Sequence, residues 1–103
     1  MNLTNLLKKV KYKKILGNND IKINKIAINS KDVESGSLFV AINGNNDNGN
    51  KYILDAISRG AVAVLTNVES DLKIAQIIVD DVRLELVNII KESKDKIDHS
   101  YNE

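Results

Sequence analysis

The sequence predicts a layered α/β domain in which helices flank a small mixed β-sheet. Segments with helical spacing of apolar residues alternate along the chain with short apolar runs typical of strands. One of these runs, LFVAI at 38–42, is apolar at every position, as in a strand covered on both faces. At 103 residues, the chain is long enough for one domain with one modest core.

The first predicted element is a short amphipathic helix in NLTNLLKKV at 2–10, because Leu3, Leu6, Leu7 and Val10 have three- and four-residue spacing. The lysine-rich segment KKVKYKK at 8–14 is expected to be a solvated helix end and turn. The segment IKINKIAIN at 21–29 alternates as a strand does, but its isoleucines change phase near Asn24 and Lys25. This change predicts a bulge or bend. The run at 38–42 should then be central in the sheet.

The second half predicts a helix, two strands and a last helix. The segment YILDAISRG at 52–60 has the spacing of a short helix, with Asn50 as its cap and Gly60 just past its end. The runs AVAVLT at 61–66 and IAQIIV at 74–79 predict strands. Asp80 or Asp81 is expected to cap the last helix. The apolar residues expected on the buried faces of the two helices are Ile53, Leu54, Ile57, Leu84, Val87, Ile90 and Ile97.

Composition argues against several classes of function. The formal charge is +1, so no net electrostatic field favours a nucleic acid or an anionic membrane as a partner. With no cysteine and one histidine, the sequence gives no basis for a thiolate metal site, a cysteine nucleophile or a disulfide framework. No apolar stretch has the length of a membrane span or the pattern of a signal peptide, so the expected location is the cytoplasm.

Polar residues follow two of the predicted strands. Ser30 comes directly after the strand at 21–29, and the loop NGNNDNGN at 43–50 follows the run at 38–42. Ligands of open α/β sheets bind beyond the carboxyl ends of the strands. If the two strands are neighbours, the Ser30 hydroxyl and the loop should meet in one crevice. Glycines would let the loop backbone approach a ligand, and asparagine amides suit a uracil edge or sugar hydroxyls.

Spacing alone leaves two interpretations of the loop open, a solvated turn and a ligand-binding loop. A calcium loop is disfavoured, because its first ligand would be Gly44 and too few carboxylates remain to replace the water around the ion. The chain also has no G-x-x-x-x-G-K-[ST] sequence for the phosphates of ATP.

The stretch INSKDVESGSLFVAINGNNDNGNKYILDAISRGAVAVL at 28–65 resembles the amino-terminal domain of the Mur ligases, which build the peptidoglycan precursor. The resemblance is greatest to the MurE type, the UDP-N-acetylmuramoyl-tripeptide synthetases. In that family a D-S-R strand end leads through V-x-x-G-x-L-F-V-A to a G-x-x-x-D-G-x-x-[FY]-I loop and then to A-I-x-x-G-A. The present chain departs from the pattern at Asn29, Lys31, Asn48 and Asn50, where the family usually has Asp, Arg, Asp and His.

This resemblance implies that the domain binds the UDP moiety of UDP-N-acetylmuramoyl-L-alanyl-D-glutamate. The residues expected to contact uridine or diphosphate are Ile28, Ser30, Asn45, Asn46 and Asp47, and those expected to shape the loop are Gly44 and Gly49. No catalytic residue, metal ligand or cofactor is expected within residues 1–103. ATP and Mg would belong to a central ATPase domain which, like the carboxyl-terminal domain, lies outside this chain, so the fragment alone should be inactive. A MurF-type ligase and a stand-alone interaction module of the same fold remain alternatives.

Overall fold

The computed structural model describes residues 1–42 and 49–101, and it describes only the backbone of 49–51 and 94–101. Its elements in chain order are α1 (Leu3–Leu6), β1 (Lys14–Leu16), β2 (Lys25–Ala27), a 3-10 turn (Ser30–Asp32), β3 (Ser37–Val40), α2 (Gly49–Ser58), β4 (Ala61–Thr66), β5 (Ala75–Ile78) and α3 (Val82–Tyr101). No helix in the described ranges has the length and apolar character needed to cross a membrane.

Five strands form one sheet within the described residues, in the order β1-β5-β4-β3-β2. Strands β2 to β5 pair in parallel with their neighbours, and β1 pairs with β5 in the antiparallel sense. The predicted α/β class with a small mixed sheet is therefore confirmed. Strand β1 was not predicted: it begins at Lys14, the last residue of the segment expected to be a helix end and turn, and its three residues show too little alternation to be recognised. The predicted first helix is also shorter than expected, since α1 ends at Leu6.

Strand β3 shows why the run at 38–42 is apolar throughout. Leu38 and Val40 belong to the core cluster that contains residues of α1 and α3, whereas Phe39 and Ala41 belong to the cluster that contains residues of α2. Both faces are covered, so every side chain of β3 is buried. The strand lies inside the sheet, between β2 and β4, although the middle position belongs to β4.

The change of phase predicted near Asn24 and Lys25 appears as a break between an extended segment and β2. Strand pairing begins only at Lys25, and the Asn24 side-chain amide donates to the Ser35 carbonyl at 3.3 Å. Ile23 and Ile26 consequently pack against the same core cluster although they are three residues apart. The prediction of a bend is confirmed.

Helix α2 differs from its prediction at its beginning and on one face. It begins at Gly49, so Asn50 lies inside the helix and does not cap it. Leu54 is 65% exposed, and Ala56 is buried in its place beside Ile53. A small side chain suits this position because α2 packs closely against β4. The predicted end is confirmed, with Gly60 just beyond it at φ +113°.

Helix α3 buries a different stripe from the predicted one. Val82, Leu86 and Ile89 are buried, whereas Leu84 and Val87 are about half exposed. The early part of α3 carries apolar residues on more than one face, so two stripes with helical spacing were available and the packing on the sheet selected one. Ile90 is partly buried against the core, and the side chain of Ile97 lies outside the described residues.

The cap of α3 is confirmed at Asp81. The Asp81 side chain accepts a hydrogen bond from the Leu84 N–H at 3.1 Å, as an N-cap residue does for the third residue of a helix.

Candidate functional site

A crevice of about 370 Å³ opens where β2 and β3 end. The two strands are parallel neighbours, with Ala27 opposite Phe39, so the chain leaves both of them at the same edge of the sheet. The residues that line the crevice are Ile28, Asn29, Ser30, Phe39, Ala41, Ile42 and Tyr52. The structure thus brings together Ile28 and Ser30, two of the predicted site residues.

Of the other predicted site residues, only Gly49 lies within the described part of the chain. Gly44, Asn45, Asn46 and Asp47 lie outside the described residues. Gly49 is the first residue of α2, the helix that also carries Tyr52 into the crevice. The predicted contacts of all these residues with uridine or diphosphate stay predictions.

The Ser30 corner is shaped by a local hydrogen bond. The Asn29 side-chain oxygen accepts from the Lys31 N–H at 3.0 Å, and the Val33 N–H donates to the Ser30 carbonyl at 3.2 Å. These bonds close the 3-10 turn at Ser30–Asp32. An aspartate in place of Asn29 could accept the same bond, so this departure from the family pattern preserves the turn.

A carboxylate on α2 lies behind Ser30. Ser30 is buried, and hydrogen bonding between its hydroxyl and the Asp55 side chain affects the pKa of that carboxyl. This bond is the largest cause that lowers the pKa of Asp55 below its ordinary value of 3.8, and partial desolvation opposes it. Arg59 lowers the pKa further, since its Nε lies 3.1 Å from the Asp55 Oδ2, and the charge of Lys31 also contributes. Asp55 is therefore ionised and held in place at neutral pH.

The crevice is mainly apolar. Phe39 and Ala41 are almost fully buried, whereas Ile28 is 52% exposed and Tyr52 is 40% exposed. None of the described residues that line the crevice carries a charge. Such a surface suits an uncharged planar ring, with Asn29 and Ser30 as the polar groups that orient it.

Sequence reasoning singled out the segment at 29–31, which contains Asn29, but missed two residues of this site, Tyr52 and Asp55. Tyr52 and Asp55 are three residues apart on a helix, and residues at this spacing lie on neighbouring parts of its surface. That spacing, near the start of a helix that follows a polar loop, could have indicated that both side chains lie near the loop. The partnership of Asp55 with Ser30 had no such signal, because 25 positions separate the two residues along the chain.

A second cavity of about 240 Å³ opens at the carboxyl ends of β4 and β5. Ile42 lines both cavities, and the second one carries charges of both signs, from Asp80, Asp81 and Arg83. Among the described residues, no group of three or more His, Cys, Asp or Glu side chains is placed to hold a metal ion.

Comparison with known proteins relates the chain to one family. The family model described as "Mur ligase family, catalytic domain" matches residues 22–100. The chain is 46% identical over 69 residues to UDP-N-acetylmuramoyl-L-alanyl-D-glutamate--2,6-diaminopimelate ligase of Alkaliphilus oremlandii, which covers 67% of this chain and 14% of that protein. It is 34% identical over 83 residues to UDP-N-acetylmuramoyl-L-alanyl-D-glutamate--L-lysine ligase of Staphylococcus epidermidis, which covers 79% of this chain and 17% of that protein.

The fold is similar to that of a solved structure, MurF from Acinetobacter baumannii, with a TM-score of 0.73. The match covers 92% of this chain and 21% of that chain at 21% sequence identity, so it concerns the fold alone. The present chain spans between 14% and 17% of the length of the two curated relatives.

Proposed function

The chain belongs to the Mur ligase family, and from this membership we propose that it binds the UDP moiety of UDP-N-acetylmuramoyl-L-alanyl-D-glutamate within a MurE-type ligase of peptidoglycan precursor synthesis. Both curated relatives described above carry this substrate in their names. The likeness to the solved MurF structure concerns the fold alone. A relative named UDP-N-acetylmuramoyl-tripeptide--D-alanyl-D-alanine ligase, from Rickettsia prowazekii, is 44% identical over 54 residues, but that match covers 52% of this chain and is shorter than the two matches above.

The observation that carries the proposal is the crevice between the ends of β2 and β3. Its volume, about 370 Å³, lies in the range of small-molecule sites, and its position beyond the carboxyl ends of parallel strands is where such sheets bind ligands. The uracil ring would lie against the apolar walls, with Ser30 hydrogen-bonded to the ligand. The diphosphate would lie towards the loop at 44–47, whose backbone N–H groups are the proposed donors.

The proposed role of residues 1–103 is to hold and orient the nucleotide end of the substrate. The described residues do not fit ATP or Mg, since none of them forms a metal-binding group and the sequence has no phosphate-binding G-x-x-x-x-G-K-[ST] motif. We therefore assign amide-bond formation to further domains of the ligase and derive no step of that reaction here. A cytoplasmic location is part of the same proposal.

Binding can be tested by NMR and calorimetric titration of the 103-residue chain with UDP-N-acetylmuramoyl-L-alanyl-D-glutamate, UDP and ATP. The first two should bind and shift the amide signals of Ser30 and Tyr52, and ATP should not bind. Ser30→Ala should weaken UDP binding about tenfold, because one hydrogen bond to the ligand is lost.

The matched control is Ser35→Ala, since Ser35 is an exposed serine that precedes β3 at the opposite edge of the sheet. This variant should bind UDP as the parent chain does. Binding of ATP at the crevice, or UDP-induced shifts confined to other parts of the chain, would contradict the proposed function.

A further inference from the structure

A further cavity, of about 550 Å³, lies beside the segment that joins α1 to β1. Its apolar wall is formed by the buried Leu7 and Val10 and by Ile15 of β1. The Tyr12 side chain also lines the cavity and is 50% exposed. Strand β1 is at one edge of the sheet and β2 at the other, four strand spacings or about 19 Å apart. This cavity is therefore separate from the crevice at the ends of β2 and β3.

The lysines of the segment at 8–14 divide into two groups. Three of the five form ion pairs with carboxylates on other parts of the chain, namely Lys9 with Glu92 at 3.9 Å, Lys13 with Asp80 at 2.8 Å and Lys14 with Glu69 at 2.8 Å. Lys8 and Lys11 line the cavity, and neither forms an ion pair with a described residue. The described residues that line the cavity include no Asp or Glu. Two positive charges therefore remain at the cavity, whereas the other lysines of the segment are neutralised.

Hydrogen bonds on two sides hold the walls of the cavity in place. The Thr4 hydroxyl donates to the Asn19 carbonyl at 3.0 Å and so joins α1 to the segment that follows β1. The Lys11 N–H donates to the Glu85 carboxylate of α3 at 3.2 Å. Glu85 is buried and accepts a second bond, at 2.9 Å, from the Asn88 amide. The wall is therefore fixed through its backbone, and the exposed Lys11 side chain is left for a ligand.

The two lysines and the apolar wall suit a small anion that carries an aromatic ring. A lysine ammonium binds phosphate as a point charge, and a phosphate monoester has close to two negative charges at neutral pH. The ring of such a ligand would lie against Tyr12 and the apolar wall, since aromatic rings stack on one another. The volume falls within the range of ~300–1,000 Å³ that is typical of small-molecule pockets. A nucleic acid or an acidic chain would instead need an extended row of free charges, which the ion pairs of Lys9, Lys13 and Lys14 interrupt.

We propose that this cavity binds a small aromatic phosphate monoester, with Lys8 and Lys11 on the phosphate and Tyr12 against the ring. The domain then carries two ligand sites, one at each edge of the sheet. The inference does not depend on the proposed function, because no described residue lines both the cavity and the crevice.

NMR titration of the 103-residue chain with phenyl phosphate tests this site, with inorganic phosphate and phenol as partial ligands. Phenyl phosphate should shift the amide signals of Lys11, Tyr12 and Asn19 and leave that of Ser30 in place. It should bind about tenfold more tightly than inorganic phosphate or phenol, because it alone combines the charge with the ring. Raising the salt concentration should weaken its binding, since both lysines are exposed.

Three variants and a matched control separate the cavity from the general charge of the segment. Lys8→Gln and Lys11→Gln should each weaken the binding of phenyl phosphate about three- to tenfold, and Tyr12→Ala should do the same through loss of the ring contact. Lys14→Gln is the control, because Lys14 precedes Ile15 on β1 and successive strand side chains point to opposite faces of the sheet. It removes the same charge and should change the affinity less than about twofold. Melting temperatures verify that each variant is folded.

Three outcomes would overturn the inference. The first is that the Lys11 and Tyr12 signals stay unshifted at ~10 mM phenyl phosphate, or that the shifts concentrate at Ser30. The second is an equal loss of affinity in Lys11→Gln and Lys14→Gln, which would indicate a diffuse basic surface in place of a site. The third is tighter binding of a hexaglutamate peptide than of phenyl phosphate, which would assign the cavity to an acidic chain. Each of these leaves the proposed binding of UDP at the crevice untouched, and failure of UDP to bind would leave this inference standing.

Discussion

A methyl group added at Gly60 tests how α2 is joined to the sheet. Gly60 follows α2 at φ +113°, and a Cβ there would lie 2.7 Å from the Cα and 2.9 Å from the backbone nitrogen of Ser35. Both are backbone atoms, so no side-chain rotation can relieve the overlap. The left-handed conformation costs an L-residue roughly 1–2 kcal/mol, and overpacking adds roughly 1–3 kcal/mol. Gly60→Ala should therefore lower the free energy of unfolding by about 2–5 kcal/mol.

Gly17→Ala is the matched control, since Gly17 also has a positive φ, +80°, but its nearest contact would be the Ala75 Cα at 3.1 Å. This variant should lose mainly the conformational contribution, roughly 1–2 kcal/mol. Urea unfolding followed by circular dichroism measures both losses, which are large against the ~5–15 kcal/mol typical of a domain. Equal losses in the two variants would refute the assignment of the excess at Gly60 to the Ser35 backbone.

Two further predictions concern α3 and the carboxylate behind Ser30. Ile89→Ala should lower the free energy of unfolding by about 2–5 kcal/mol, because Ile89 is fully buried. Leu84→Ala should change it by no more than about 0.5 kcal/mol, because Leu84 is 54% exposed. A larger loss at Leu84, measured by urea unfolding, would contradict the packing of α3. The folded-state pKa of Asp55 lies below 3.8, so the stabilisation from its ionised form is complete above that pH and is lost as pH falls through the folded-state pKa. The difference in melting temperature between the parent chain and Asp55→Asn should therefore shrink below pH 3.8, and a difference that stays constant down to ~pH 2 would contradict this linkage.

The sequence was sufficient to predict those strands whose side-chain pattern has a single physical interpretation. A run apolar at every position, such as the one that forms β3, is stable only if both faces are covered, so its place inside the sheet follows from burial alone. The end of α2 was equally well defined, because the conformation after its last turn suits glycine and Gly60 stands there.

The buried face of α3 could not be predicted because its sequence allows two apolar stripes. Leu84 and Val87 have the same spacing as Leu86 and Ile89, yet only the second pair is buried. Asp81 fixes where the helix begins, but the rotation about its axis depends on contacts with the sheet and with α1, which are remote in sequence. Strand β1 was not predicted for a related reason, since its pairing with β5 joins segments about sixty residues apart in the sequence.

The surroundings of Ser30 come partly from residues next to it in the sequence, which can be predicted, and partly from a helix that is distant in the sequence, which cannot. The turn depends on Asn29 and Lys31, which flank the serine, and its position follows from the end of β2. Asp55, whose pKa responds to Ser30, comes from α2, and its place depends on how α2 lies against β4. The surroundings of Ser30 therefore depend on the packing of α2 as well as on the residues that flank the serine.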